Sequence, residues 1–321
     1  MDIMSGPKVG SGSGRNDPVL ELNDLLKDFA GKRAVDHLSF SVGKGEILGL
    51  LGPNGAGKTT TMRLIMDVIA PDSGTIRIFG ESLSERIKDR IGYLPEERGL
   101  FRKMKVMDTL LFLGALKGMK PADIRIRGGE LLARFGLEST AGRKVEELSK
   151  GMAQKLQFIA TILHSPKLLI LDEPFSGLDP LNIELVKDIV LAKKRENVSI
   201  IFSTHLMEYA EMIVDTVVMI HQGKKVLDGG LSDIKALHGK KCLRISYIGD
   251  AHFVPSLPGV SGVRDYGREM EIELADIRCC DDVLRELTGR LSLRAFQLAE
   301  PSLQNIFLAN VSEAAGSGAG R

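Results

Sequence analysis

The sequence predicts an α/β fold: a parallel sheet buried on both faces, interrupted by a helical subdomain and followed by a small α+β domain. Three observations carry this reading. Four short apolar runs, ILGLL (47–51), LLIL (168–171), SIIF (199–202) and VVMI (217–220), are continuous rather than alternating and stop abruptly at polar residues or glycine. Strands covered on both sides look like this. Segments of helical pattern, such as TMRLIMDVIA (61–70) and LNIELVKDIVLAKKRE (181–196), fall between the runs and give an alternation of β and α. The pattern then changes beyond Gly229 and Gly230.

Taken in order, residues 1–16 are rich in Gly and Ser and are expected to be a disordered tail. Residues 17–230 form the α/β body. Within it, about 101–150, MDTLLFLGALKGM and GELLARFGL have helical patterning and no clear strand, which marks an inserted helical subdomain. Residues 231–311 hold KCLRISYIGD, GVRDYGREMEIELAD, DDVLRELTGRL and SLQNIFLANV, the material of a small α+β domain. Residues 312–321 again read as a tail.

The 321 residues are 43% hydrophobic and 26% charged, with 43 Lys+Arg against 42 Asp+Glu. That balance lacks the bulk basic footprint of a nucleic-acid binder. Cys242, Cys279 and Cys280 have no CxxC spacing and suit a reducing compartment. No apolar run approaches the ~18–20 residues of a spanning helix, and the N-terminus has no signal-peptide core. A soluble, cytoplasmic chain is expected.

In open α/β sheets ligands bind beyond the carboxyl ends of the strands, and the chemistry-bearing residues follow the apolar runs. Gly52, Pro53, Asn54, Gly55, Ala56, Gly57, Lys58, Thr59 and Thr60 fit GxxxxGK[ST] between a strand and a helix. The glycines let backbone N–H groups face phosphates. Lys58 then reaches the β- and γ-phosphates of a nucleotide, and the Thr59 hydroxyl can coordinate Mg2+. Asp172 emerges at the end of LLILD, placed to hold Mg2+, and Glu173 follows as a candidate to polarise an attacking water. His205 closes SIIFSTH at the same sheet edge, where position alone leaves a structural hydrogen bond and a γ-phosphate contact both open. LSKGM, which is Leu148, Ser149, Lys150, Gly151 and Met152, opens a helix with no strand before it. A serine and a glycine N–H at a helix N-terminus make an anion clamp.

In this order the motifs resemble the ATP-binding subunits of ABC transporters, over about residues 18 to 230. The resemblance implies a P-loop NTPase of the ABC cassette type that uses ATP and Mg2+. Gly52 to Thr60 matches the Walker A loop, Leu168 to Pro174 the Walker B strand with Glu173 as catalytic glutamate, and His205 the switch histidine. Ser176, Gly177, Leu178 and Asp179 match the D-loop, and Phe29 the aromatic position that stacks on adenine. LSKGM stands where the family has LSGGQ, which closes over the ATP of a partner cassette. The resemblance thus implies two cassettes sandwiching two nucleotides head to tail. Two departures stand out: Lys150 and Met152 replace a glycine and a glutamine, and Glu96 in YLPEERG replaces the usual glutamine that contacts Mg2+ and water. A carboxylate at Glu96 is still a metal ligand, with added negative charge beside Asp172 and Glu173. LPEERGLF, EPFSGLDP and AEPSLQNIF resemble a subgroup, mostly exporters, whose ATPase pairs with a separately encoded membrane permease. That implies a peripheral place on the inner face of the plasma membrane. A regulatory nucleotide-binding subunit with weak turnover and a non-transport ABC ATPase are the competing readings.

Overall fold

The computed structural model describes residues 18–97, 99–238, 242–300 and 302–316. The expected N-terminal tail, 1–16, lies outside them. The chain divides into two compact units, the first ending at Gly229 and the second starting at Gly230.

The first unit opens with β1 (Leu20–Phe29), β2 (Lys32–Val42) and β3 (Ile47–Leu51), then α1 (Lys58–Ile65) and β4 (Ser73–Ile78). A short α2 (Glu85–Lys88) leads to β5 (Ile91–Leu94), followed by α3 (Val106–Leu116), α4 (Pro121–Arg134) and α5 (Lys150–Ile162). The remainder is β6 (Leu168–Asp172), α6 (Pro180–Arg195), β7 (Ser199–Thr204), α7 (Met207–Glu211), β8 (Thr216–His221) and β9 (Lys224–Gly230). Among the described residues one sheet has the order β5-β6-β7-β3-β8-β9, and β3, β5, β6, β7 and β8 pair in parallel. Every residue of β3, β6 and β7 is buried. Their unbroken apolar runs have no polar face because the sheet has no wet side. The register pairs Leu51 with Thr204 and Asp172 with Ser203, so three strand ends finish level at one edge.

A second, antiparallel sheet, β2-β1-β4, belongs to the same unit. The sequence reading did not anticipate it, nor β5. Leu20, Leu22, Leu25, Val35 and Leu38 of this sheet share a core with Met62 and Ile65 of α1 and with Leu50, Ile170, Ile201 and Val218 of the parallel sheet. α1 also ends sooner than the pattern 61–70 suggested. Asp67 takes a left-handed conformation, and the Asp67 and Val68 N–H groups donate back to the Leu64 and Arg63 carbonyls. That closes the helix with a Schellman-type turn. α6 behaves as expected: the Asp179 carboxylate accepts from the Asn182 N–H at 2.9 Å and Pro180 takes the first turn.

The second unit comprises α8 (Leu231–His238), β10 (Cys242–Ile248), β11 (Val260–Asp265), β12 (Glu269–Leu274), α9 (Cys280–Arg290), β13 (Ser292–Ala299) and α10 (Leu303–Gly316). Its antiparallel sheet runs β11-β12-β10-β13. Leu243, Ile245, Met270 and Ile272 pack with Val283 and Leu287 of α9. Glu271, of opposite parity to Met270 and Ile272, accepts from the Arg244 Nε at 3.1 Å and from the Asn305 amide of α10 at 2.7 Å. α10 runs on through Gly316, into the stretch read as a tail. Residues 317–321 lie outside the described residues.

α5 lies hard against β5. A Cβ added to Gly92 would stand 2.4 Å from the Thr161 carbonyl oxygen and 2.7 Å from Leu169 Cδ2. Just past the helix, the His164 Nε2–H donates to the Ile91 carbonyl at 3.1 Å. Two predictions follow from this seam. Gly92→Ala costs about 1–3 kcal/mol through overpacking, read as a lower urea midpoint at unchanged m-value. Burial, with Lys117 nearby, pushes the His164 imidazole down from the usual 6.5 to about 4. Between those values the unfolded chain binds a proton that the folded chain refuses. Stability from this group is complete above pH 6.5 and is lost as the pH falls toward 4. His164→Gln flattens that part of a curve of Tm against pH.

Candidate active site

The cleft at the level strand ends is lined by Phe29, Lys32, Arg33, Ala34, Asn54, Gly55, Gly57, Lys58, Thr59, Thr60, Glu96, Glu173, Ser176, His205 and Gln222. The loop after β3 curls because Gly57 is left-handed, and a Cβ there would sit 2.3 Å from the Ala34 carbonyl oxygen. Gly57 is also the N-cap of α1, so the first N–H groups of that helix open toward the loop. Lys58, only 6% exposed, donates to the carbonyls of Gly52 at 2.9 Å and Pro53 at 3.2 Å. Its ammonium also lies 3.5 Å from Glu173 Oε1.

Asp172 and Glu173 are consecutive, and in a regular strand their side chains would point to opposite faces. Glu173 instead adopts a left-handed backbone, φ 48°. That costs about 1–2 kcal/mol for a residue with a Cβ, and Glu173 lines the cleft while Asp172 is buried behind it. Asp172 is 2% exposed. Its Oδ1 accepts from the Ser203 hydroxyl and lies 3.3 Å from Thr59 Oγ1, which is itself 3.2 Å from Glu96 Oε2. Asp172 Oδ2 is buried without a hydrogen-bond partner among the described residues. Burial raises the Asp172 carboxyl above its ordinary range, and the nearby charges of Glu96 and Glu173 add to the shift. A buried carboxylate with an unsatisfied oxygen is costly unless a cation answers it. This donor set, a hydroxyl and carboxylates, suits a hard divalent ion such as Mg2+.

Glu173, 6% exposed, is fixed on both oxygens. His205 Nδ1 lies 2.9 Å from Oε1, and the Thr204 hydroxyl donates to Oε2 at 3.0 Å. The Glu173 N–H is 3.1 Å from Ser203 Oγ. Position after a buried strand pointed to Glu173, and the family resemblance to His205. Ser203 and Thr204 were missed, although two hydroxyls closing an apolar run just before a histidine are a readable sign. Gln222, left-handed at the turn after β8, and Lys32 and Arg33 on β2 were also missed.

The other expected site residues fall as follows. Phe29 is 48% exposed at the cleft, with the Lys27 ammonium 5.4 Å from its ring centre. Ser149 caps α5, its Oγ accepting the Met152 N–H at 3.2 Å. None of Leu148, Ser149, Lys150, Gly151 and Met152 lines the cleft that holds Lys58. Ser149 and Lys150 face solvent, and nothing crowds Gly151. Of the 176–179 stretch, Ser176 reaches the cleft, while the Asp179 carboxylate is taken up capping α6.

Residues 35–176 match the ABC transporter family, and residues 229–311 match the C-terminal domain of DrrA1-3-like ATP-binding proteins. The ABC transporter ATP-binding protein YhaQ of Bacillus subtilis is 42% identical over 91% of this chain and 98% of its own. The daunorubicin/doxorubicin resistance ATP-binding protein DrrA of Streptomyces peucetius is 32% identical over 91% of this chain and 92% of its own. The linearmycin resistance ATP-binding protein LnrL of B. subtilis is 32% identical over 90% and 97%. A solved ATP-binding subunit of an ABC transporter aligns with TM-score 0.65 and 33% identity, covering 69% of this chain and 93% of that one. The glycine-rich loop before α1, the Glu96 and Glu173 carboxylates lining one cleft and relatives aligned nearly end to end agree: the chain belongs to the ATP-binding subunits of ABC transporters, in the DrrA-like subgroup with a small C-terminal domain.

Proposed function

We propose that this chain binds Mg-ATP in the cleft, hydrolyses it, and drives a separately encoded membrane permease that works in export. The observation that carries the reading is Glu173. It is a buried carboxylate held on both oxygens, 3.5 Å from the ammonium of Lys58. Phe29 offers an exposed ring face for the adenine. The N–H groups of Gly55 to Thr60 receive the phosphates, whose oxygens replace the loop carbonyls and Glu173 around Lys58. Thr59, Asp172 and Glu96 are the residues that would hold Mg2+, which supplies positive charge against the phosphate oxygens. Glu173 then accepts a proton from the attacking water, with His205 and Thr204 fixing the carboxylate's orientation.

Ser149 and Gly151 stand outside this chain's own cleft, on a capped helix end exposed to solvent. That placement supports a role toward the ATP of a second cassette, a homodimer or heterodimer closing head to tail around two nucleotides. Loss of the γ-phosphate would remove the bridging charge and open the pair. Among the described residues no helix is long and apolar enough to cross a membrane. A permease partner would therefore bring this chain to the inner face of the plasma membrane. The names of DrrA and LnrL, both resistance ATP-binding proteins, support export.

Glu173→Gln tests the reading directly. Turnover of Mg-ATP should fall by at least about 100-fold, the lower range for loss of a general base, while ATP binding is kept. Sedimentation should then show a dimer that persists with ATP. A wild-type chain that binds no ATP would overturn the proposal.

A further inference from the structure

The loop that carries Glu96 is held from behind by the helix that carries Ser149. Gln157, in the middle of α5, is 7% exposed and takes no part in the cleft. Its Nε2 donates to the Pro95 carbonyl at 3.3 Å and the Glu97 carbonyl at 3.2 Å, one on each side of Glu96. One turn on, Thr161 Oγ1 lies 3.4 Å from the Tyr93 carbonyl. Carbonyls 93, 95 and 97 thus all meet side chains of α5. Pro95 has no N–H, so its carbonyl, taken by Gln157, is its sole backbone hydrogen-bonding group. Gly92 lets α5 approach closely enough for these bonds to form. The side chain of Glu96 leaves in the other direction, toward Thr59.

We propose that Gln157 is a positioning residue for Glu96: its amide clamps the two flanking carbonyls and so sets the distance of the Glu96 carboxylate from Thr59 and Asp172. Because Ser149 and Gln157 share one helix, any displacement of α5 moves the Glu96 loop with it. The end of the helix offered to a second nucleotide is thereby linked to the metal-holding residues for the chain's own. This rests on the Mg-ATP reading above.

The test is a double-mutant cycle on the full chain with Gln157→Met, Glu96→Ala and the pair, reading the gain in ATP affinity that Mg2+ gives over EDTA by calorimetry. Methionine matches the length of glutamine without a donor, and Gln157→Ala serves as a second variant should Met disturb packing. Gln157→Met should cut the Mg2+-dependent gain roughly tenfold, the scale of one or two lost hydrogen bonds, and leave affinity in EDTA unchanged. Added to Glu96→Ala it should cost nothing more, since both act through one carboxylate. An unchanged gain in Gln157→Met, or losses that multiply in the double variant, would overturn the inference. So would a loss of equal size in EDTA, which marks a packing role. A wild-type chain that gains no ATP affinity from Mg2+ would overturn the Mg-ATP reading itself, and this inference with it.

Discussion

Three charged residues, Lys58, Asp172 and Glu173, are buried at the rim of a sheet whose strands β3 and β6 are otherwise apolar. Charges withdrawn from water must find partners or destabilise the fold. Here the partners are supplied by different elements: loop carbonyls of Gly52 and Pro53, hydroxyls of Thr59, Ser203 and Thr204, and the His205 ring. The contacts of Asp172 and Glu173 with Ser203, Thr204 and His205 do not survive a one-residue slip of β6 against β7, because a slip reverses every side chain. The apolar runs make the sheet, and the rim fixes its register.

The helical layer answers to the same rim through α5. Gln154 approaches the Pro174 carbonyl just beyond Glu173, Gln157 holds the loop around Glu96, and Lys155 reaches the Phe135 carbonyl at the end of α4. A helix with so many polar attachments on one side does not slide freely over an apolar bed. It moves, when it moves, as a body with its attachments.

The parallel strands and their terminal residues were legible because burial on both faces leaves long apolar words ending in chemistry. The antiparallel sheet was not. LELNDLLKDF and KRAVDHLSFSV should alternate, but Asp24 and His37 are left-handed and the pairing shifts between Leu22 and Leu25, so the period of two breaks where it would be read. β5 is four residues long with a glycine in it, too little pattern to separate from a loop. In the site, Lys58, Asp172 and Glu173 announce themselves by motif and position, and His205 by the resemblance. Gln157 does not, because a glutamine within a helix looks like any solvent-facing residue until its burial and its two carbonyl partners are seen.

The bond between Asn305 and Glu271 bears on where the second unit ends as a cooperative structure. Leu303, Ile306 and Phe307 of the same helix are buried, and Glu271 shares its carboxylate between the guanidinium of Arg244 and the last helix. The helix is therefore a closing clasp rather than a trailing segment. A fragment cut after β13 would strip three apolar side chains from the fold and leave a carboxylate short of a donor. Truncation before Asn305 should therefore loosen the sheet at Glu271 rather than merely fray the chain end.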